Sequence, residues 1–230
     1  MGDKLTTEIE GRLATIRLDD GKANAFDHAM FDAVNAALDA ADAAKAVAVI
    51  RGNAKMFSGG YDLKTMMRGP EAARELVKRG SELAVRFMER PHPVIVASDG
   101  HMLALSGFLF MAADWRIGRR GPFKIGLPET PNSLPMHNFG REMSLWRLSK
   151  PHFTRAFLHG EMFSADDAVA AGFYDVATDD VDAAVAEAVE RLSKINTPVY
   201  ANNKTMGFKG VLPRLKQAIA DDETLGIEVG

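Results

Sequence analysis

The sequence has no cysteine among its 230 residues. That removes disulfide frameworks, Cys-ligated zinc, iron–sulfur clusters and thiol nucleophiles. An excess of one charge is missing too: 28 Lys and Arg face 31 Asp and Glu, a formal net charge of −3. Without a basic field, nucleic acid is not an expected partner. No apolar run is long enough to span a bilayer. The longest, residues 102–113, is broken by Ser106 and Gly107 and falls short of the roughly 20 residues a spanning helix needs. It reads as a buried core segment. The N-terminus is polar and carries no apolar leader segment. Met1, Gly2 and Thr6 formally match a myristoylation pattern, but no basic patch or second anchor accompanies them. Neither lipidation nor a membrane partner is expected, and a cytoplasmic location fits.

What is present is ordinary globular composition, 47% hydrophobic and 26% charged. A chain of this length can bury a core without metals or disulfides. Leu5–Glu10 and Leu13–Leu18 alternate apolar and polar residues around Gly11, the pattern of a hairpin. Asp27 stands where it can cap a helix presenting Met30, Phe31, Val34 and Leu38 on one face. Val47–Arg51 and residues 93–98 read as buried strands, and Pro70 opens a long helix to about Met88. A helix over 106–113 and a strand over 115–118 follow. Two strands, a helix and then repeated strand–helix units make this an α/β protein. Beyond about residue 140 strands nearly vanish, and helices are expected over 144–148, 154–159, Ala165–Ala171, 181–194 and 212–220. Residues 1–196 thus form the expected core and 197–230 a helical tail. The apolar side of that tail, Val211, Leu212, Leu215 and Ile219, has to dock on its own core or on a neighbouring subunit.

Several catalytic signatures are absent. There is no G-x-x-x-x-G-K-[ST] or G-x-G-x-x-G loop, no G-x-S-x-G elbow and no H-E-x-x-H pair. His152 and His159 lie too far apart for a close-spaced ligand pair, so no metal is expected. Three other segments could carry chemistry. Met56-Phe57-Ser58-Gly59-Gly60-Tyr61-Asp62-Leu63 and residues 99–108 each sit between a buried strand and a helix. Helix N-termini leave backbone N–H groups unpaired and favour negative charge. Two of them converging would make an oxyanion hole from main chain alone, although tight strand–helix turns would use the same glycines. In the third segment Glu129 stands among Ile125, Leu127 and Pro128. Apolar surroundings raise a carboxyl's pKa toward the range a proton-transferring group needs. An ordinary loop glutamate is the plain alternative.

Taken in order, these segments resemble the crotonase superfamily, the enoyl-CoA hydratases and isomerases. The resemblance rests on Lys22-Ala23-Asn24-Ala25-Phe26, on Phe57-Ser58-Gly59-Gly60-Tyr61-Asp62-Leu63 and on the stretch from Gly100 to Asp114. It continues through Gly126-Leu127-Pro128-Glu129 and Phe163-Ser164-Ala165-Asp166-Asp167-Ala168 with Ala171-Gly172-Phe173. It implies a crotonase (ClpP-like) fold of repeated ββα units, with a C-terminal helical region used in trimerisation.

The implied ligand is an acyl-CoA thioester, with no metal or separate cofactor, since coenzyme A belongs to the substrate. The implied assembly is a homotrimer or a dimer of trimers. The thioester oxygen would sit between the N–H groups of Tyr61 and Leu105, with Glu129 as the acid/base. The implied substrate-binding set is Lys22, Ala23, Ala25, Ser58, Gly60, Asp62, Leu63, Leu103, Phe108 and Pro128. Asp62 reads better as a helix cap than as an acid. Lys204 is either a coenzyme A phosphate contact or a solvated surface lysine. His137 is either a polar group of the pocket or part of a surface turn. Tyr61 either shortens the acyl tunnel or covers it.

The sequence departs from the family pattern at three places. The family's glycine triplet is Ala104-Leu105-Ser106 here, and Asn132-Ser133 stand where the family has a glycine. Family hydratases use two glutamates, and the first falls on Phe108. One carboxylate suffices for a 1,3-proton shift, so a Δ3-Δ2-enoyl-CoA isomerase is expected. Enoyl-CoA hydration, acyl-CoA decarboxylation or hydrolysis, and non-catalytic acyl-CoA binding are the rival readings.

Overall fold

A computed structural model describes residues 4–224. The myristoylation pattern at Met1 and Gly2 and the last six residues of the expected tail lie outside the described residues.

The chain opens with a hairpin, β1 (Leu5–Glu10) and β2 (Leu13–Leu18), closed at Gly11 and registered Leu5 to Leu18. Strand β2 turns Ala14, Ile16 and Leu18 into the core. Helix α1 (His28–Ala43) starts at Asp27, whose carboxylate accepts the Met30 N–H at 2.9 Å and an ammonium hydrogen of Lys4 at 2.7 Å. Its buried face holds Met30, Phe31, Val34 and Leu38, the apolar stripe seen in the sequence.

Three ββα turns follow. The first is β3 (Val47–Arg51), β4 (Met56–Ser58), the short α2 (Leu63–Met66) and the long α3 (Pro70–Glu89). The second is β5 (Val94–Ser98), β6 (His101–Leu103) and α4 (Leu105–Ala112). The third is β7 (Trp115–Arg119), β8 (Ile125–Gly126), a 3-10 turn at Thr130–Asn132 and α5 (Asn138–Arg147). In each turn the first strand joins a six-stranded sheet ordered β1-β2-β3-β5-β7, with β9 (Val176–Thr178) last. The second joins a small parallel sheet, β4-β6-β8. The step between sheets is tight. A Cβ on Gly100 would lie 2.0 Å from the Lys55 carbonyl oxygen, so no side chain fits where the second turn crosses the first.

Strands β3 and β5 are buried throughout because the large sheet is covered on both faces, the usual state of parallel strands. One face meets the main core, where Phe57 and Phe110 pack edge to face at 4.9 Å. The other meets Val181 and Ala188 of a later helix.

The remainder is mostly helical: α6 (Lys150–Phe153), a π-helical turn at Thr154–Leu158, α7 (Ala165–Ala171), α8 (Val181–Ser193), α9 (Thr197–Phe208) and α10 (Leu212–Asp222). No described helix is long and apolar enough to cross a membrane. Helix α5 begins six residues before the expected 144. The π turn occupies the stretch read as a helix over 154–159. The tail from Thr197 docks on its own chain, with Val211, Leu215 and Ala218 buried and α10 against α3 and α5.

Lys204 corrects the sequence reading on both counts. It is neither a surface lysine nor placed for a phosphate. Its ammonium is buried and donates to the Phe87 carbonyl and the Asp114 carboxylate, both at 2.7 Å. Burial pulls its pKa below the usual lysine value against the pull of Asp114.

Candidate active site

Where the three turns leave the small sheet they enclose one cavity of about 160 Å³. The first turn lines it with Gly59, Tyr61, Leu63, Met66 and Val77, and the second with Leu103 and Ala104. The third adds Pro128, Glu129, Asn132, Leu134, Pro135 and His137.

Two backbone amides sit at helix starts beside this cavity. Leu105 is the first residue of α4, and Tyr61 precedes Asp62, the N-cap of α2. Among the described residues neither amide has a hydrogen-bond partner. The two starts are packed together: a Cβ on Gly60 would lie 3.6 Å from the Leu105 nitrogen and 2.7 Å from the Ala104 side chain. Gly60 also has φ +101°, so glycine is needed there for both space and conformation. Ala104 adopts φ +54°, ψ −123°, a region that glycine enters freely and alanine does not. The backbone thus keeps a glycine-like turn although Ala104, Leu105 and Ser106 all carry side chains.

A buried polar scaffold holds these turns. Asn24 donates through Nδ2 to the carbonyls of Leu18 at 3.1 Å and Phe57 at 3.0 Å. The Ser58 hydroxyl donates to the Asn24 carbonyl at 2.7 Å and accepts the Gly60 N–H at 3.0 Å. The Ser106 hydroxyl lies 2.8 Å from the Ser58 carbonyl oxygen and 2.7 Å from that of Leu103.

Glu129 follows β8 through Leu127 and Pro128. Its carbonyl oxygen accepts the Asn132 and Leu134 N–H groups, at 3.0 and 2.9 Å, which fixes its main chain. The residue is 9% exposed, and among the described residues its Oε2 has no hydrogen-bond partner. Burial pushes the carboxyl up to about 7, close to the range expected from its apolar neighbours. Ser133 closes the 3-10 turn in the left-handed region at φ +58°. It takes on, with a side chain, the conformation that glycine adopts at little cost.

His137 is the N-cap residue of α5 and is buried, not part of a surface turn. Its ring lies 5.2 Å from Phe108, edge to face, and 6.0 Å from Phe139. Burial drives its pKa down to about 4, against the pull of Asp222, so the imidazole is neutral at pH 7. The Asp222 carboxylate accepts the Asn138 and Phe139 N–H groups at 2.7 and 3.0 Å, which satisfies the start of α5.

Of the residues marked in the sequence, Tyr61, Leu63, Leu103, Pro128 and Glu129 line the cavity together. Ser58, Gly60 and Leu105 are chain neighbours of the lining residues Gly59, Tyr61 and Ala104 and are not in the lining themselves. Ala23 accepts the Gly59 N–H at 2.8 Å. Ala25 precedes Phe26, whose backbone bonds Gly60 and Asp62. Asp62 caps α2 through the Thr65 N–H at 2.8 Å. Lys22 is exposed, away from the cavity lining. Phe108 is fully buried behind His137 and does not reach the lining. The Tyr61 hydroxyl runs under α3, 3.4 Å from the Val77 carbonyl oxygen. Sequence reading missed Asn24 and Ser106 as loop-holding residues. A short polar side chain inside an apolar run was the signal available for Ser106.

A family model described as enoyl-CoA hydratase/isomerase matches residues 8–225. The structure is similar to a Pseudomonas syringae enoyl-CoA hydratase/isomerase family protein, with TM-score 0.95 and 38% identity over 98% of this chain and 99% of that one. It is also similar to an apo enoyl-CoA isomerase of Mycobacterium tuberculosis, with TM-score 0.90 and 31% identity over 96% and 98% of the chains. Among curated proteins, enoyl-CoA delta isomerase 3 of Arabidopsis thaliana is 27% identical over 167 residues, 67% of this chain and 70% of that protein.

Proposed function

The chain belongs to the enoyl-CoA hydratase/isomerase family, and on that premise we propose that it is a Δ3-Δ2-enoyl-CoA isomerase. The observation that carries this reading is Glu129, the one carboxylate among the described residues lining the cavity, buried and raised to about 7. The name of the Arabidopsis relative points the same way, whereas the Mycobacterium tuberculosis protein is named an isomerase in one structure and a probable hydratase in another.

In this reading the thioester oxygen accepts hydrogen bonds from the Tyr61 and Leu105 amides. Leu105 is the first residue of α4, where a developing enolate charge is stabilised, and Tyr61 adjoins the cap of α2. Ionised Glu129 removes a proton from C2 of a 3-enoyl-CoA. The electron pair spreads over the dienolate, and the same carboxyl returns the proton to C4, leaving the double bond between C2 and C3. A group with a pKa near the working pH suits both halves of that exchange. The apolar lining withholds the water that would compete.

The test is to incubate 3-enoyl-CoA and trans-2-enoyl-CoA of several lengths in heavy water and to follow products by mass spectrometry. Isomerisation much faster than hydration is the expected result. Hydration that equals it at every chain length overturns the reading. We also infer the homotrimer or dimer of trimers that the resemblance implies. Val199 and Met206 on α9 are 55% and 66% exposed, and such apolar side chains suit burial between subunits. Light scattering should give three or six chain masses, and a single-chain mass counts against it.

A further inference from the structure

The proton transfer just described leaves His137 without a task. It is 7% exposed, lines the cavity, and among the described residues makes no side-chain hydrogen bond, with Nε2 buried and unpartnered. Phe108 and Phe139 pack against its ring, so its surroundings are otherwise apolar. A buried polar group without a partner is costly and calls for an explanation. For a residue that lines a cavity, a ligand atom can complete that bonding.

The chemistry of that atom is constrained. A neutral imidazole offers one N–H donor and one acceptor. Protonating it to meet an anion is opposed by burial. Glu129 shares the cavity, and Asp222 lies behind His137 on the start of α5. A second carboxylate on the ligand would meet these two acidic groups. An uncharged oxygen, a hydroxyl or a ketone, can bond the ring without that repulsion.

We propose that His137 is a specificity-determining residue that hydrogen-bonds an uncharged oxygen on the acyl chain, so that the preferred substrates are oxygenated acyl-CoA esters rather than plain ones. The proposal rests on the reading of the cavity as the acyl site, and names its substrate class. Apolar cavity walls accept hydrocarbon with little discrimination. A site built to hydrogen-bond a substrate oxygen penalises the analogue that lacks it.

The experiment measures binding, so that it does not depend on which reaction follows. Hexanoyl-CoA and hexanoyl-CoA carrying one hydroxyl or one ketone on the outer half of the chain are titrated by calorimetry. Wild-type protein should bind at least one oxygenated ester about tenfold more tightly than the plain one. His137→Leu should erase that ratio, and His137→Gln, which keeps a donor and an acceptor, should retain most of it. Equal wild-type affinities for the whole series overturn the proposal, as does a preference that survives in His137→Leu. Should the leucine variant fail to fold, the wild-type series still decides. Absent isomerisation with the binding preference intact would fall on the proposed reaction alone.

Discussion

The Ser106 hydroxyl lies 2.8 Å from the carbonyl oxygen of Ser58, so one buried side chain on α4 ties together the two turns that carry the Tyr61 and Leu105 amides. Ser106→Ala removes that tie: the single hydroxyl hydrogen shared between the Ser58 and Leu103 carbonyls is lost, and so is the acceptor of the Leu103 N–H. Stability should fall by about 1–3 kcal/mol, read by denaturant unfolding. Turnover should fall by about tenfold because the amides lose their fixed spacing. Unchanged turnover would show that the two turns hold their geometry without Ser106.

Glu129 carries the second prediction. Glu129→Gln should keep binding of CoA esters but lower turnover by about 100-fold or more. Turnover within about threefold of wild type would reject Glu129 as the base.

The same residue sets a pH dependence. Its carboxyl is raised from 4.5 to about 7 in the fold, so between those values the native state holds a proton that the unfolded chain has released. Stability from this group is fully present below about pH 4.5 and is lost as pH rises through about 7. The loss is on the order of 3 kcal/mol. Activity runs the other way, because proton removal needs the ionised form, and should climb with pH through about 7. Glu129→Gln should remove this falling contribution, so that its unfolding free energy gains on wild type as pH rises from about 4.5 to 7, measured from pH 4 to pH 8. A variant profile parallel to wild type would place the titration elsewhere.

Lys204→Met should act on the fold and not on substrate affinity. It strands the Asp114 carboxylate, whose side chain is 10% exposed. Breaking a buried pair in this way costs about 3–5 kcal/mol. KM for CoA esters should stay at the wild-type value once the protein is folded. A raised KM with unchanged stability would restore Lys204 as a coenzyme A contact.

Much of this was legible in the sequence because local physics decided it. Asp27 before an apolar stripe, Pro70 at a helix start and the unbroken apolar strands β3 and β5 all follow from capping, fixed φ and two-sided burial. The small sheet was not legible. Strands β4, β6 and β8 have three residues or fewer, too short to show an alternation. Glu129 stood out by its apolar neighbours. The burial of His137 depends on Phe108 and Phe139 meeting it from another helix and from its own. Lys204 was misread for a related reason: its partner Asp114 is 90 residues away, and only docking of α9 brings them together.

The bond from Asp222 to the start of α5 also has a consequence for biosynthesis. His137 takes its place at the head of a helix whose cap is supplied from residue 222. While a ribosome still holds that residue, the three ββα turns can form, yet the wall of the cavity that carries His137 is without its cap. The nascent chain is therefore expected to acquire the completed pocket only after synthesis has passed Asp222, well after the three turns themselves are made.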